Sequence, residues 1–359
     1  MAKGSNLVRK KFLHRTQIFV VVFIIILLMT KICLHINPEW DPFKSKGLDG
    51  DNSGITNDNS PANNDSNIID DNPSQVIEEE NVKNDTSSHN DHNIINEEEE
   101  QVISSPKDVP FTIVTGASEN HFCPLKSFLY TTHETIKGFK NAKVVVYDLG
   151  LSSAQIEILG GLQKKGFITE LKRLDWSKYP KFWNISIARG EYAWKPGMIY
   201  EISNEYPGNI IWLDSGTKVK KSFFNNLVGF LKEYDGFVSP KSPGTMRTWT
   251  HKGVYEYFHD DHTKYDDLPN CNGAAIAFDT KRTQSLIDAW YQCALDKDCI
   301  APPGSSRQNH RQDQALLTYF AAKEGRTCDQ NRAKFGFHIH DDGNCKKEIA
   351  KYENEHDYI

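Results

Sequence analysis

Asn209-Ile210-Ile211-Trp212-Leu213-Asp214-Ser215-Gly216 runs four apolar residues into an aspartate, a serine and a glycine. A short unbroken apolar run closed by turn residues reads as a strand buried on both faces, as in a parallel sheet. Upstream, Tyr192–Glu205 has helical character. Ile168–Leu174 alternates like a strand, and Ser152 and Ser153 cap a helix carrying Ile156, Ile158, Leu159 and Leu162. Further back, Lys143–Tyr147 is a strand run ending at Asp148, a helix covers Lys126–Ile136, and Phe111–Val114 opens the series. Downstream, Ala274–Phe278 reads as another buried strand and Ala315–Phe320 as amphipathic helix. Strand–helix alternation of this kind predicts an α/β fold with a parallel sheet and crossover helices. Ligand-contacting residues of such sheets sit at the carboxyl ends of strands. Thr115, with Ala117 two residues on, Asp148 and Asp214 stand there.

The 359 residues fall into three polymers of different charge. Residues 1–46 carry 8 Lys and Arg against 2 acids, residues 47–105 carry 1 against 15, and the remainder 33 against 31. The near-neutral, aromatic-rich last part excludes a wholly disordered chain. It shows no basic excess for phosphate contacts, so no nucleic-acid partner is expected.

Ile18–Met29 is unbroken apolar sequence, extending to Ile36 if Thr30, Lys31 and His35 are tolerated, with Arg9, Lys10, Lys11 and Arg15 before it. A span needs roughly 20 apolar residues, about 17 at least. The basic flank keeps the N-terminal side cytoplasmic. A cleaved signal peptide has the same start, but no small-residue cleavage site follows Met29. The expected layout is a cytoplasmic tail over 1–16, a signal anchor over 17–36, a disordered acidic stem over 37–106 and a lumenal domain over 107–359. The short span suits the thinner membranes of the Golgi or ER. Asn64, Asn84 and Asn184 head Asn-x-Ser/Thr sequons.

Setting Cys33 aside with the anchor, six cysteines in an oxidising compartment read as disulfides. Cys293 and Cys299 enclose a short polar loop and are expected to pair, with Cys328–Cys345 as a second bridge. Val114-Thr115-Gly116-Ala117-Ser118, with Tyr319, Lys323 and Ser306, imitates a short-chain dehydrogenase. Glu119, Asn120 and His121 stand where the dinucleotide fingerprint needs glycines, which argues against it.

Four pieces carry the chemistry: Tyr192-Ala193-Trp194-Lys195-Pro196, Trp212-Leu213-Asp214-Ser215-Gly216, Asn270-Cys271-Asn272-Gly273-Ala274 and Arg311-Gln312-Asp313-Gln314-Ala315. In order and spacing they resemble glycosyltransferases of the GT-A type, closest to an uncharacterised eukaryotic family of nucleotide-diphospho-sugar-transferase-like proteins. The resemblance covers residues 110–340 and implies a Rossmann-like α/β fold with a mixed, mostly parallel sheet flanked by helices. It implies a type II membrane enzyme transferring a sugar from a nucleotide-sugar donor to a glycan or glycoprotein acceptor in the secretory pathway. The alternative is a catalytically inactive relative that binds glycans or acts as a scaffold.

The resemblance also assigns roles. Departure of a nucleoside diphosphate is stabilised electrostatically, commonly by a divalent cation. GT-A enzymes end a central strand in Asp-x-Asp, whereas here Asp214-Ser215-Gly216 lacks the second carboxylate. Asp214 is therefore either a ligand for Mn2+ or Mg2+, or it only contacts the ribose or ends a strand. His338 and His340, two apart on one face of an extended segment, are candidates to complete the shell. Asp313 is expected as general base or as a holder of sugar hydroxyls, with Gln314 beside it. Asn272 and Gly273 line a sugar, Lys195 neutralises the diphosphate, and Trp194 stacks on a base or sugar. His259-Asp260-Asp261-His262 reads as a loop facing the acceptor rather than a metal cluster.

Overall fold

The computed structural model describes residues 105–356. The expected tail, span and most of the stem, with Asn64 and Asn84, lie outside the described residues. Among those described, no helix is long and apolar enough to cross a membrane.

Among the described residues ten strands are formed: β1 Phe111–Ala117, β2 Ala142–Asp148, β3 Glu170–Arg173, β4 Asn209–Leu213, β5 Lys218–Val219, β6 Phe237–Val238, β7 Lys241–Thr245, β8 Pro269–Cys271, β9 Ala275–Asp279 and β10 Phe337–His338. The longer helices are α1 Phe122–Ile136, α2 Ser153–Lys164, α3 Trp194–Glu205, α4 Thr280–Ala294, α5 Gln312–Lys323 and α6 Cys345–Glu355. Six strands build one sheet in the order β3-β2-β1-β4-β9-β6. β3, β2, β1 and β4 are mutually parallel, while β9 runs antiparallel to β4 and to β6. The sheet is mixed and mostly parallel, as expected. β5 pairs with β10, and β7 with β8.

The apolar runs are unbroken because both faces of the sheet are covered. Val114, Val145, Tyr147, Trp212 and Ile276 face one core, packed with side chains of α3, α4 and α5. Ile113, Val144, Val146, Ile211, Leu213 and Ala275 face the other, with α1 and α2. Neighbours along each strand take opposite sides, as the two-residue period of a strand requires. Ser152 opens α2 with a capping box, accepting from the Gln155 N–H while the Gln155 side chain accepts from its own N–H.

Two expectations are corrected. Helix α3 starts at Trp194, because Ala188–Tyr192 forms a left-handed turn, with φ of 45° at Ala188, 57° at Arg189, 63° at Gly190, 49° at Glu191 and 55° at Tyr192. Cys293 and Cys299 are bonded, but Cys328 and Cys345 are not bonded to each other. Cys328 pairs with Cys271 and Cys345 with Cys123. The reason is tertiary: α6 packs along α1 and brings Cys345 to Cys123, with Cα atoms 5.7 Å apart. β8 lies against α5, so the chain leaving α5 passes Cys271. The His259–His262 segment is a pinned structural turn. Asp260 accepts from the Tyr265 and Tyr319 hydroxyls and from Lys264. Tyr319, the tyrosine of the dehydrogenase imitation, is fully buried there.

Candidate active site

In strand order the chain steps from β1 outward through β2 to β3, then returns to place β4 on the other side of β1. This reversal opens the crevice where open α/β sheets bind ligands, at the carboxyl ends of strands. β4 delivers Asp214 to it. Trp212, two residues earlier and so on the same side of the strand, donates its indole N–H to Asp214 Oδ1 at 2.7 Å. That orienting contact was readable from the spacing but was not anticipated. The Asp214 N–H donates to the Ala274 carbonyl, which fixes the turn after β4 against the start of β9.

Lys195, in the first turn of α3, is the hub. Its ammonium lies 3.1 Å from Asp214 Oδ1 and 3.1 Å from Asp313 Oδ2, and donates to the Gly273 carbonyl at 2.9 Å. Both Lys195 and Asp313 are buried. Burial opposes the lysine charge, but the carboxylates, Asp214 ahead of Asp313, more than reverse this, and its pKa is raised. The ammonium therefore stays charged and acts as a fixed cation, not a base. Asp313 is pushed the other way for a carboxylate. Burial raises its pKa, Lys195 opposes the rise and Asp214 adds to it. Of the two carboxylates, Asp313 is the buried one that binds a proton more readily than a free aspartate does.

The loop before β9 completes this centre. The Gly273 N–H donates to Gln314 Oε1 at 3.2 Å, and Asn272 Oδ1 accepts from the Ala274 N–H at 2.9 Å. A Cβ at Gly273 would sit 3.3 Å from Asp313 Oδ2. Lys195, Asp214, Gly273, Asp313 and Gln314 thus meet, from four segments far apart in sequence. The Trp194 ring lies beside them, 5.9 Å from the Lys195 ammonium.

The donor-side expectations land differently. Thr115 and Ala117 are buried within the sheet end, and Asp148 accepts from the Gly150 and Leu151 N–H groups at 2.8 and 2.7 Å. Asp148 closes the turn after β2. The exposed polar residues past β1 are Glu119, Asn120 and His121, where Asn120 Oδ1 accepts from the Ser118 hydroxyl at 2.7 Å. Asn184 is exposed, as a sequon asparagine must be.

The metal expectation is tested by the residues themselves. Among the described residues, no group of three or more His, Cys, Asp or Glu side chains is close enough to hold a metal ion. His338 and His340 both face outward with Ile339 buried between them, and they are not gathered with Asp214 into such a group. The chain turns at His340, with φ 62°, after the β5–β10 pairing. Asp214 already has a cation against it in Lys195. Among the described residues, Asp214, His338 and His340 do not compose a three-ligand cation site. The position of the missing second carboxylate is nevertheless filled in space. Asp342 reaches back over Gly216, so that a Cβ there would lie 1.6 Å from Asp342 Oδ1, and the Asp341 N–H donates to the Gly216 carbonyl. Glycine at 216 is what admits this carboxylate.

No family model and no curated protein matches the chain. Among solved structures it is similar to the apo form of the bifunctional glycosyltransferase WbbM at 14% identity and TM-score 0.39, over 61% of this chain and 38% of that one. It is similar to an active-site mutant of LgtC at 12% identity and TM-score 0.41, over 68% and 95%. It is also similar to the mannosyltransferase PcManGT from Pyrobaculum calidifontis, in complex with GDP-Man and Mn2+, at 12% identity and TM-score 0.38, over 63% and 56%. The chain therefore spans well under half the length of WbbM.

Proposed function

We propose that the chain is a glycosyltransferase that moves a sugar from a nucleotide-sugar donor to a glycan or glycoprotein acceptor. In this reading it is held in the Golgi or ER membrane by residues 17–36, with its folded domain in the lumen. The observation that carries the reading is the meeting of Lys195, Asp214, Asp313 and Gln314 at the switch point of the sheet.

The chemistry asks for a group to hold or deprotonate an acceptor hydroxyl and for positive charge where the leaving diphosphate gathers electrons. Asp313 suits the first role. It is buried, its pKa is raised towards the range useful for a base, and its Oδ2 makes no hydrogen bond beyond the Lys195 ion pair among the described residues. Lys195 suits the second, as a permanently charged, buried cation. Trp212 and Lys195 hold Asp214, which is a third exposed and faces the donor.

The test is a thermal-shift panel of nucleotide sugars on the full-length protein, with and without Mn2+. A ligand at 100 times its Kd adds about 2.7 kcal/mol, which for a folded part of this size moves Tm by roughly 5–11 °C. Stabilisation by one nucleotide class, with donor hydrolysis abolished in Asp214→Asn and Asp313→Asn, is expected. Absence of a shift with every donor sinks the transferase reading in favour of a glycan-binding scaffold.

A further inference from the structure

Beside the Lys195 centre stands a cluster that the transferase reading leaves without a task. Arg189, Arg307 and Arg311 gather around two aromatic rings. Arg189 Nη1 donates to the Tyr192 hydroxyl at 3.1 Å, Arg307 donates to the same hydroxyl and lies 5.3 Å from that ring, and Arg311 lies 3.9 Å from the Trp249 ring. Elsewhere Arg173, Arg247, Arg282 and Arg326 each have an aspartate partner, while Arg332 has no ion pair among the described residues. Among the described residues these three have no ion-pair partner at all. The nearby acid, Glu191, contacts the Gln312 amide instead. Arg311 is pushed below its ordinary pKa, first by burial and then by Arg307, which marks the two as uncompensated like charges side by side.

The backbone that makes this cluster is strained. A left-handed residue other than glycine costs about 1–2 kcal/mol, and Ala188, Arg189, Glu191 and Tyr192 all adopt that conformation in a row. Strain of this kind persists where the surroundings impose it, and it concentrates at ligand sites. Here the turn is what faces Tyr192 and Arg189 towards Arg307. It is tied down by the Trp194 indole donating to the Arg189 carbonyl at 3.1 Å.

Position selects the occupant. The cluster hangs on the turn before α3, the loop before α5 and the Trp249 segment, not on the ends of β1 and β2. Arg311 stands two residues before Asp313, the side chain assigned to the acceptor hydroxyl, and the Tyr192 and Trp194 rings connect Arg307 to Lys195. A guanidinium matches the oxygens of a phosphate, sulfate or carboxylate two at a time, and stacking on a ring fixes its plane. We propose that Arg189, Arg307 and Arg311 form an oxyanion subsite on the acceptor side, which takes the phosphate, sulfate or carboxylate of an anionic sugar acceptor. The word acceptor rests on the transferase reading; the oxyanion preference does not.

Isothermal titration calorimetry on the full-length protein tests it, with glucose 6-phosphate and glucuronate as anionic probes, methyl glucoside as the neutral probe and UDP and GDP as diphosphate probes. The expected result is at least tenfold tighter binding of an anionic probe than of methyl glucoside. Arg307→Gln and Arg311→Gln should each remove about tenfold of that, Arg311→Lys less, with diphosphate affinity unchanged. Near-ultraviolet circular dichroism controls for folding. Equal affinity for charged and neutral sugars, or variants that bind the anionic probe like the parent, overturns the proposal. A parallel fall in UDP or GDP affinity also overturns it, since the cluster would then belong to the donor. Binding of sugar anions with no nucleotide binding at all would instead leave the subsite standing and remove the transferase reading.

Discussion

Replacing Lys195 by methionine keeps the side-chain length and removes the charge that Asp313 and Asp214 share. The structure fixes how much this costs. Asp214 has a third of its side chain in solvent and retains the Trp212 N–H, so its share is small. Asp313 is 5% exposed and has no other partner for Oδ2 among the described residues. Removing one member of a buried ion pair typically costs about 3–5 kcal/mol, and the larger part should fall on Asp313. The sign with pH follows. Without Lys195 the Asp313 pKa rises further, so the folded variant takes up a proton that the unfolded chain, with an ordinary aspartate, does not. Stability of the variant relative to the parent must therefore recover as pH falls through that raised value, by at most about 1.4 kcal/mol per unit. Between pH 7.5 and 5.5 the gap should close by up to about 2.7 kcal/mol. Urea unfolding at both pH values reads this directly, and Lys195→Met/Asp313→Asn should restore most of the loss at pH 7.5. A Lys195→Met loss below about 1 kcal/mol, or no rescue by the second substitution, would mean that the three charges are not coupled as described.

Other outcomes are fixed by the same structure. His310 is fully buried, with Nε2 against the Ile300 carbonyl and Nδ1 accepting from the His251 N–H, and burial lowers its pKa to about 4. Its contribution is complete above the unfolded value of 6.5 and is lost as pH falls from there to about 4. The acid loss of Tm across that window should shrink in His310→Gln. Donor hydrolysis should show an acidic limb above the ordinary aspartate range, because the Asp313 pKa is raised, and a limb unchanged in Asp313→Glu at an ordinary carboxylate value would refute that assignment. Gly190→Ala meets the Trp183 carbonyl at 2.1 Å with φ at 63°, and should cost more than about 2 kcal/mol by urea unfolding. Loop-closure entropy assigns about 5 kcal/mol to the bridge spanning 222 residues and about 2 kcal/mol to the one spanning 6. The Cys123→Ser/Cys345→Ser protein should accordingly melt well below Cys293→Ser/Cys299→Ser.

Much of the sheet was legible because burial on two faces leaves an unmistakable trace. Lys143–Tyr147, Asn209–Leu213 and Ala274–Phe278 are continuous apolar runs of strand length, and each is a strand. Direction was less visible: nothing in Ala274–Phe278 says that β9 runs against β4. Asp214, Asp313, Lys195 and Gln314 were each readable as candidates, but their meeting was not, since α3 and α5 reach the site from different sides of the sequence. The left-handed turn had no local signature beyond Gly190, because four of its five residues are types that rarely adopt it. Cysteine partners depend on which helices pack together, and the packing of α6 on α1 decides Cys123–Cys345. His338 and His340 are both exposed, but the strand ends at His338 and the backbone is left-handed at His340, so their spacing alone does not place them on one face.

The bridge between Cys123 and Cys345 also orders events during biosynthesis. A ribosome adding roughly 5–20 residues per second delivers Cys345 about 10–45 seconds after Cys123, while Cys299 follows Cys293 almost at once. Throughout that interval Cys123 is a thiol whose partner does not yet exist, and Cys271 appears within reach before Cys345 does. The Cys123–Cys345 bridge therefore closes only after the chain has been made as far as the start of α6. The covering of Gly216 by Asp342, only three residues before Cys345, waits on the same step.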